Sequence, residues 1–346
     1  LTSSQVAASG AVINTLTGIP LNVCLLVAGL VIIVYTTLGG MIADQISDLI
    51  QFIIILLGLA IATPIVIHGA GGWGAIAQKL PGDQLSIDKI GWVVIIGYIF
   101  NYFCTFLSGP EMISRFETAK DEKTAKIASL VSAALMAAMA VFPTLLGLAA
   151  LAMADILPGV TGGNAMMMVT NHFAPTIVTG VISAAIISAT MSSADSNLLC
   201  MSTMFINDIW RTTQYGRDLS DKQIIFATRF CNVVFCVIAM AISLLKVNII
   251  TMNTFAFAIR CAGPFAAYGL GLVIPRATKH SGQISIITGT IGVVIWQILS
   301  GGDFYLGILP VVFGCAIGTL TFFIVNLVEW KMGVEPAPTA YTEEEE

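Results

Sequence analysis

The chain of 346 residues is 57% hydrophobic and only 10% charged, with a formal net charge of −5 at pH 7. Soluble domains carry about 25% charged residues, so this composition excludes an ordinary soluble protein. Apolar runs of about 20 residues, long enough to cross a bilayer as helices, recur along the whole chain. The sequence therefore predicts an all-α, multi-pass membrane protein embedded in the lipid bilayer, and no nucleic-acid partner is expected.

The first residues, 1–19, are expected to form the end of one helix and an external loop. About nine spanning helices are then predicted, an odd number that puts the first residues and the C terminus on opposite sides of the membrane. They are expected at about 20–38, 45–68, 90–109, 126–153, 176–206, 223–245, 249–275, 283–300 and 305–329. Residues 1–335 would form the membrane domain, and 336–346 a disordered acidic tail.

Basic residues are distributed unevenly between the two sets of predicted loops. One set holds only Lys79, Lys89 and Lys246. The other set, with the C-terminal segment, holds Arg115, Lys120, Lys123, Lys126, Arg211, Arg217, Lys222, Arg276, Lys279 and Lys331. Because short cytoplasmic loops are enriched in Lys and Arg, the second set and the C terminus are predicted to be cytoplasmic, with the protein in the plasma membrane.

The junction between the first two spanning helices contains two acidic residues. Gly39 and Gly40 are expected to break the helix, and the next helix begins near Asp44. A carboxylate at a helix start suits the positive end of the helix dipole, which is a sufficient reason for Asp44. Asp48 lies one turn deeper, where a cap cannot explain it. Asp48 is therefore expected to face the interior of the helix bundle.

Aromatic residues and Asn101 precede a Gly109–Pro110 break in the segment 95–110. A helix interrupted inside the membrane exposes backbone groups to a ligand, which is how many transporters form their sites. This pattern makes the segment a candidate solute-binding region. Ordinary aromatic packing is the alternative interpretation.

The segment Val181–Trp210 begins as an apolar helix but carries polar residues at its centre. Ser192, Asp195 and Ser196 are spaced i, i+3 and i+4, so they project from one helix face. A carboxylate in hydrocarbon is costly and usually marks a functional site, and hydroxyl and carboxylate oxygens are ligands of hard cations. The alternative is a set of small residues that pack closely and hydrogen-bond to the preceding turn.

Arg260 lies in the middle of the predicted helix 249–275, beside Gly263 and Pro264. An arginine inside the membrane must pair with an acidic group. The partner is either a carboxylate of the solute or a buried acid of the protein, and both alternatives stay open.

Several motifs together resemble the sodium/solute symporter family, which transports proline, pantothenate, monocarboxylates, sugars, sialic acid and choline. They are Tyr35-Thr36 with Gly39-Gly40, the advance to Asp48 and Gln51, the segment SATMSSADSNLLCMSTMFINDIW, and GPEMISRFETAKDEKTAK. The resemblance implies a LeuT-type fold of two inverted five-helix repeats with a site at mid-membrane. Aligned on Gly39-Gly40, helix 20–38 corresponds to the fourth core helix, so the first core helices are expected to be missing.

The resemblance also implies the positions of the sites. One sodium ion would contact the Ala189 carbonyl and the hydroxyls of Ser192 and Ser193, and a second would contact Asp48, Ser196 and the position of Asp195. Members with that second site carry serine where this chain has Asp195, and the extra carboxylate would either strengthen the cation site or hold a proton. In the proline-permease branch, the positions of Tyr102 and Phe106 belong to pocket aromatics. The solute site is expected to involve Tyr102 and Phe106 from this resemblance. Asn101 and Arg260 are added from their own chemistry, since the aligned family position of Arg260 is usually small and the resemblance says nothing for it.

The predicted function is sodium-coupled symport of a small organic solute, a carboxylate or an amino acid, with Na⁺ as the coupling ion. The alternatives are a sodium- or solute-sensing membrane module of a signalling protein and a choline-type transporter. An enzyme is disfavoured, since no His, Asp and Glu set has the spacing of a metal or nucleophile site. The seven cysteines all lie in apolar runs without metal-ligand spacing and are interpreted as packing residues: Cys24, Cys104, Cys200, Cys231, Cys236, Cys261 and Cys315.

Overall fold

The structure is a computed structural model that describes residues 1–86, 91–245, 248–274, 276–300 and 308–337, and of residues 41–43 only the backbone. The loop lysines Lys89 and Lys246, the start of the predicted helix 305–329 and the acidic tail from 338 onward lie outside the described residues. Two compact units make up the chain, one formed by Leu1–Gln84 with Lys120–Ile249, the other by Leu85–Ala119 with Ile250–Glu346.

The described residues are almost entirely helical. Thirteen helices are numbered here in chain order. They are α1 (Thr2–Thr17), α2 (Leu21–Gly40), α3 (Asp44–Gly69), α4 (Gly72–Lys79), α5 (Trp92–Ser108), α6 (Pro110–Glu117), α7 (Glu122–Ala152), α8 (Ala165–Phe173), α9 (Thr176–Met204), α10 (Asp221–Ser243), α11 (Ile249–Pro264), α12 (Lys279–Ser300) and α13 (Pro310–Lys331).

Within the described ranges, eight helices are long and apolar enough to cross a membrane. The pair α5 and α6, bent by 47° at Gly109, would make a ninth span if it counts as one. Each predicted span therefore corresponds to a helix or to this bent pair, and the Gly109–Pro110 break is where the sequence places it. Large apolar side chains such as Leu30, Leu57 and Phe226 remain exposed, as helices facing lipid require.

The break between α2 and α3 depends on Gly40. Its backbone has φ 69° and ψ 179°, a combination that is essentially restricted to glycine because a Cβ atom would be strained there. The predicted Gly-Gly break is confirmed, and it turns the chain so that α3 begins at Asp44.

The first unit packs α3 closely against α9. A Cβ atom added at Gly58 of α3 would lie 2.9 Å from the Ala185 Cβ of α9, so glycine permits this approach. Leu59, Val66, Leu146 and Ile182 are among the buried residues of the surrounding core. The close packing of α3 and α9 also brings together the polar residues that both helices carry.

The second unit packs α5, α11, α12 and α13 around small residues. A Cβ atom at Gly289 of α12 would lie 2.4 Å from the Ala262 carbonyl oxygen of α11, so these helices approach at backbone distance. The described end of the chain is also held in this unit, because the Ala337 N–H donates to the Ala277 carbonyl at 2.8 Å.

Candidate ion and solute sites

A cluster of three carboxylates lies at the start of α3 where it meets α9. One carboxylate oxygen each from Asp44, Asp48 and Asp195 lies within 4.8 Å of the other two. Asp44 and Asp195 are 8% and 1% exposed, respectively. Asp44 and Asp48 are four residues apart on α3 and share one face, so the start of this helix presents two carboxylates to α9.

Hydroxyl and amide groups of α9 hydrogen-bond with this carboxylate cluster. The Ser192 hydroxyl donates to Asp48 Oδ1 at 2.6 Å, and the Ser196 hydroxyl donates to Asp44 Oδ2 at 3.3 Å. The Ser196 N–H donates to Asp195 Oδ1 at 2.8 Å. Asp195 Oδ2 is buried and has no hydrogen-bond partner in the described part of the chain. One buried carboxylate oxygen of the cluster is thus open to a proton or a cation.

A narrow cleft leads along the helix break to these carboxylates. It is lined by Tyr35, Thr36, Gly39, Gly40, Asp44, Asp195 and Leu199. The Tyr35 hydroxyl donates to the Ser47 hydroxyl, which in turn donates to the Asp44 carbonyl at 2.9 Å. The Gly-Gly break and the carboxylate cluster are therefore parts of one structural feature.

Asp44 is the residue that sequence reasoning underestimated. The helix-dipole argument explains why an acid is tolerated at the start of α3, and the structure agrees that α3 starts there. The same carboxylate also points into the cluster with Asp195. The spacing of four residues between Asp44 and Asp48 was the signal that could have identified it.

The structure brings together four of the predicted ion-site residues, Asp48, Ser192, Asp195 and Ser196. Ala189 and Ser193 are half-buried on the same helix. The Ser193 carbonyl accepts a hydrogen bond from the Asn197 side chain. The roles of all six residues as ion ligands stay a prediction.

Arg260, in the second unit, pairs with an acid of the protein. Its Nη1 lies 2.6 Å from Glu111 Oε1, with the two side chains only 17% and 12% exposed. The guanidinium also lies over the Phe257 ring, 5.3 Å from its centroid. The Nε and Nη2 atoms of Arg260 are buried and form no hydrogen bond with the described residues. The ion pair therefore leaves donors of the guanidinium available.

Aromatic side chains connect Arg260 with the other predicted solute residues. The Tyr102 ring lies 6.2 Å from the Phe106 ring and 5.8 Å from the Phe257 ring, centroid to centroid. Asn101, also on α5, is 1% exposed, and its side-chain oxygen has no hydrogen-bond partner among the described residues. The sequence did not identify Phe257 or Glu111. Phe257 precedes Arg260 by three residues, one helical turn, and this spacing was the available signal.

The sequence is similar to one family profile and to several transporters. The sequence profile described as "SSF: Sodium:solute symporter family" matches residues 1–289. The high-affinity proline transporter PutP of Bacillus subtilis (strain 168) is 28% identical over 338 residues, which cover 94% of this chain and 69% of the relative. The sodium/proline symporter of Escherichia coli (strain K12) is 24% identical over 312 residues, or 86% and 60% of the two chains.

A solved structure resembles the fold over nearly the whole chain. It is the substrate-bound, outward-open state of a Na⁺-coupled sialic acid symporter, with a TM-score of 0.79 and 20% sequence identity. The superposition covers 97% of this chain and 73% of the other. The predicted helical architecture is thereby confirmed.

Proposed function

The chain belongs to the sodium:solute symporter family, and from that membership we propose that its solute is proline or a closely related small amino acid. It is a transporter and not an enzyme, and sodium is its coupling ion. The two curated relatives described above are proline transporters. The choice of proline rests on these relatives and on the chemistry of the second unit.

The carboxylate cluster is the main evidence for the proposed ion site. Two ionised carboxylates no more than 4.8 Å apart repel by at least roughly 3 kcal/mol at an effective dielectric constant of about 20, and each pair among Asp44, Asp48 and Asp195 lies within that distance. A cation among them removes this cost. Sodium is a hard cation that oxygen ligands suit, and Ser192 and Ser196 add hydroxyl oxygens beside the carboxylates. In this proposal Asp48, Asp195 and Ser196 hold one sodium ion, and Ala189, Ser192 and Ser193 hold another.

The solute site is proposed in the second unit, around Arg260. The free guanidinium donors suit a carboxylate, which would accept charge-assisted hydrogen bonds. Tyr102, Phe106 and Phe257 provide apolar faces for a small ring such as that of proline. Asn101 would supply a polar contact. Glu111 holds the guanidinium in place, so the solute carboxylate meets an ordered partner.

A choline-type transporter is the second candidate, favoured by one specific observation. Aromatic faces attract quaternary ammonium groups, and the rings of Tyr102, Phe106 and Phe257 lie together. Glu111 neutralises Arg260, which lowers the electrostatic cost of a cationic solute near it. The open donors of Arg260 nevertheless favour a carboxylate, so proline ranks first.

Uptake into proteoliposomes tests the proposal. With an inward sodium gradient, labelled proline is expected to accumulate above its external concentration, and replacing sodium by potassium should abolish accumulation. Unlabelled choline in excess should not compete. Sodium-dependent uptake of labelled choline but not of labelled proline would favour the choline-type function instead. Absence of sodium-dependent uptake of either solute would contradict both.

The orientation of the chain is also proposed. The basic residues of the loops around Arg115, Arg211 and Arg276 and of the segment after α13 support a cytoplasmic C terminus in the plasma membrane. A reporter enzyme that is active only in the cytoplasm, fused after the last residue, is expected to be active. An active fusion in the loop between α7 and α9 would contradict this orientation.

A further inference from the structure

Three cysteines that are far apart in the sequence meet in the core of the second unit. The sulfur atoms of Cys104, Cys261 and Cys315, from α5, α11 and α13, all lie within 4.8 Å of one another. The Cys261 and Cys315 sulfur atoms are 3.8 Å apart. All three side chains are buried, with exposures of 0%, 0% and 2%. Spacing along the sequence concealed this group, because each helix contributes one cysteine.

The distances fit a metal ion surrounded by sulfur. Metal–sulfur bonds of about 2.3 Å separate the sulfur ligands by roughly 3.8 Å in a tetrahedral site and 4.0 Å in a trigonal one. The Cys261–Cys315 distance already has this value. The remaining separations, at most 4.8 Å, need to shorten by less than about one ångström. Side-chain rotation and small helix shifts are enough to close the site.

The surroundings determine which ion suits the site. Apolar residues such as Ala258, Ala262, Val293 and Val311 pack around the sulfur atoms, and no carboxylate or imidazole of the described residues belongs to this group. Thiolates prefer soft cations. Structural zinc is almost always four-coordinate, whereas three sulfur ligands without a fourth suit a monovalent d¹⁰ ion. We propose that Cys104, Cys261 and Cys315 bind one Cu(I) ion.

The position of this thiol site connects it with transport, although the metal site itself does not depend on the proposed solute. Cys104 lies between Tyr102 and Phe106 on α5, and Cys261 follows Arg260 on α11. Each coordinating thiol releases its proton to solvent as the sulfur–copper bond forms. A bound ion fixes the distance between the two helices that carry the proposed solute contacts. Occupancy is therefore expected to slow uptake, and a thiol chelator should restore it.

Two full-length variants with complementary sets of cysteines test the proposal. The first keeps the three clustered cysteines and carries Cys24→Ala, Cys200→Ser, Cys231→Ser and Cys236→Ala. The second keeps those four and carries Cys104→Ala, Cys261→Ala and Cys315→Ala. Each purified, reduced protein is titrated anaerobically with Cu(I) in competition with a chelator of known affinity.

The first variant should bind one Cu(I) per chain, with thiolate-to-copper charge-transfer absorption and three sulfur neighbours in the X-ray absorption spectrum. The second should bind none at the same free copper concentration. Equal binding by both variants, or by neither, overturns the proposal, and binding of Zn(II) in preference to Cu(I) overturns the choice of ion.

Single substitutions separate ligand loss from misfolding. Loss of a group that only orients a metal ligand costs about 10- to 100-fold in affinity, so Cys315→Ser or Cys104→Ser should weaken Cu(I) binding by at least about 100-fold. Thermal unfolding without metal shows whether each variant is folded. A folded single variant that binds as tightly as the parent refutes the site. If a variant does not fold, the sulfur count in the three-cysteine variant still decides the question.

Discussion

The Ser192 hydroxyl donates to the Asp48 carboxylate at 2.6 Å and joins α9 to α3 across 144 positions of sequence. Both residues are polar and lie in largely apolar helices, and each provides a hydrogen-bond partner for the other. The bond joins one oxygen from each of the two proposed sodium sites and holds both oxygens in place. In the proposed function this bond would order both sites before the ions arrive, and its loss should affect sodium binding more than the stability of the fold.

Replacing Ser192 by alanine is expected to raise the sodium concentration for half-maximal uptake by roughly tenfold, because one hydroxyl ligand is lost and a hydrogen bond contributes about 0.5–1.5 kcal/mol. Sodium-dependent uptake of proline measures the effect. Ser183 is the matched control, since it is buried on the same helix and its hydroxyl donates to the Met167 sulfur of α8 and to the Thr179 carbonyl of α9. Equal sodium dependence in Ser192→Ala and the parent would remove Ser192 from the site.

Asp195 is expected to make sodium binding depend on pH. Three neighbouring carboxylates cannot all stay ionised cheaply, so protons compete with sodium for them. Sodium affinity should fall as pH falls, and Asp195→Asn should flatten this dependence while weakening binding. Sodium titrations of the purified protein between about pH 5.5 and 8.5 give the comparison. Asp44→Asn should act in the same direction. The hypothesis that these carboxylates share one cation fails if both variants keep the parent's sodium affinity and pH profile.

The spans, and the polar residues that meet between α3 and α9, were predictable for a physical reason. Lipid forces spanning segments to be apolar, so a residue such as Asp48 or Asp195 stands out without knowledge of its partner. Partner identity is a tertiary property. The sequence required a carboxylate for Arg260, from the solute or from the protein, but could not choose Glu111, which lies just after the 47° bend at the Gly109–Pro110 break.

The role of Asp44 and the convergence of three cysteines were not predicted, for the same physical reason. The local dipole argument already accounted for Asp44, so nothing in the sequence demanded a second role. Cysteines are compatible with an apolar core, so Cys104, Cys261 and Cys315 gave no local contradiction that would reveal their convergence. A charged residue inside an apolar helix can be recognised from the sequence alone. A residue that suits its local position, such as an acid at a helix start or a cysteine in an apolar core, shows a second role only in the folded structure.

Gly40 should be intolerant of a side chain for a purely backbone reason. A Cβ atom at Gly40 would meet no described atom within 4 Å outside its own chain neighbours, yet its φ of +69° is unfavourable for other residues. Gly40→Ala is therefore expected to destabilise the protein by about 1–3 kcal/mol. Gly147→Ala is the control. This position in α7 has as much open space as Gly40, but its backbone is helical, so alanine should raise the free energy of unfolding by up to about 1 kcal/mol. Thermal unfolding in detergent compares the two, and equal effects would contradict the strain argument.

A double-mutant cycle should separate the contribution of the Arg260–Glu111 ion pair to stability from the contribution of Arg260 to transport. The reason is that the proposed solute binds guanidinium donors that the ion pair leaves open. Removing either partner of a buried pair costs about 3–5 kcal/mol through the remaining charge. Arg260→Gln and Glu111→Gln should thus each lower thermal stability, and the double variant should recover much of it.

Measurements of proline uptake should distinguish the roles of Arg260 and Glu111, which thermal stability alone does not separate. The stable double variant is expected to lose proline uptake, since Gln cannot replace the charged donors, whereas Arg260→Lys should retain weakened uptake because lysine keeps the charge but not the planar fork. A double variant that transports proline at the parental rate and half-saturation would show that Arg260 serves only the fold. Uptake that depends on Arg260 even after stability is restored places the solute carboxylate beside its guanidinium.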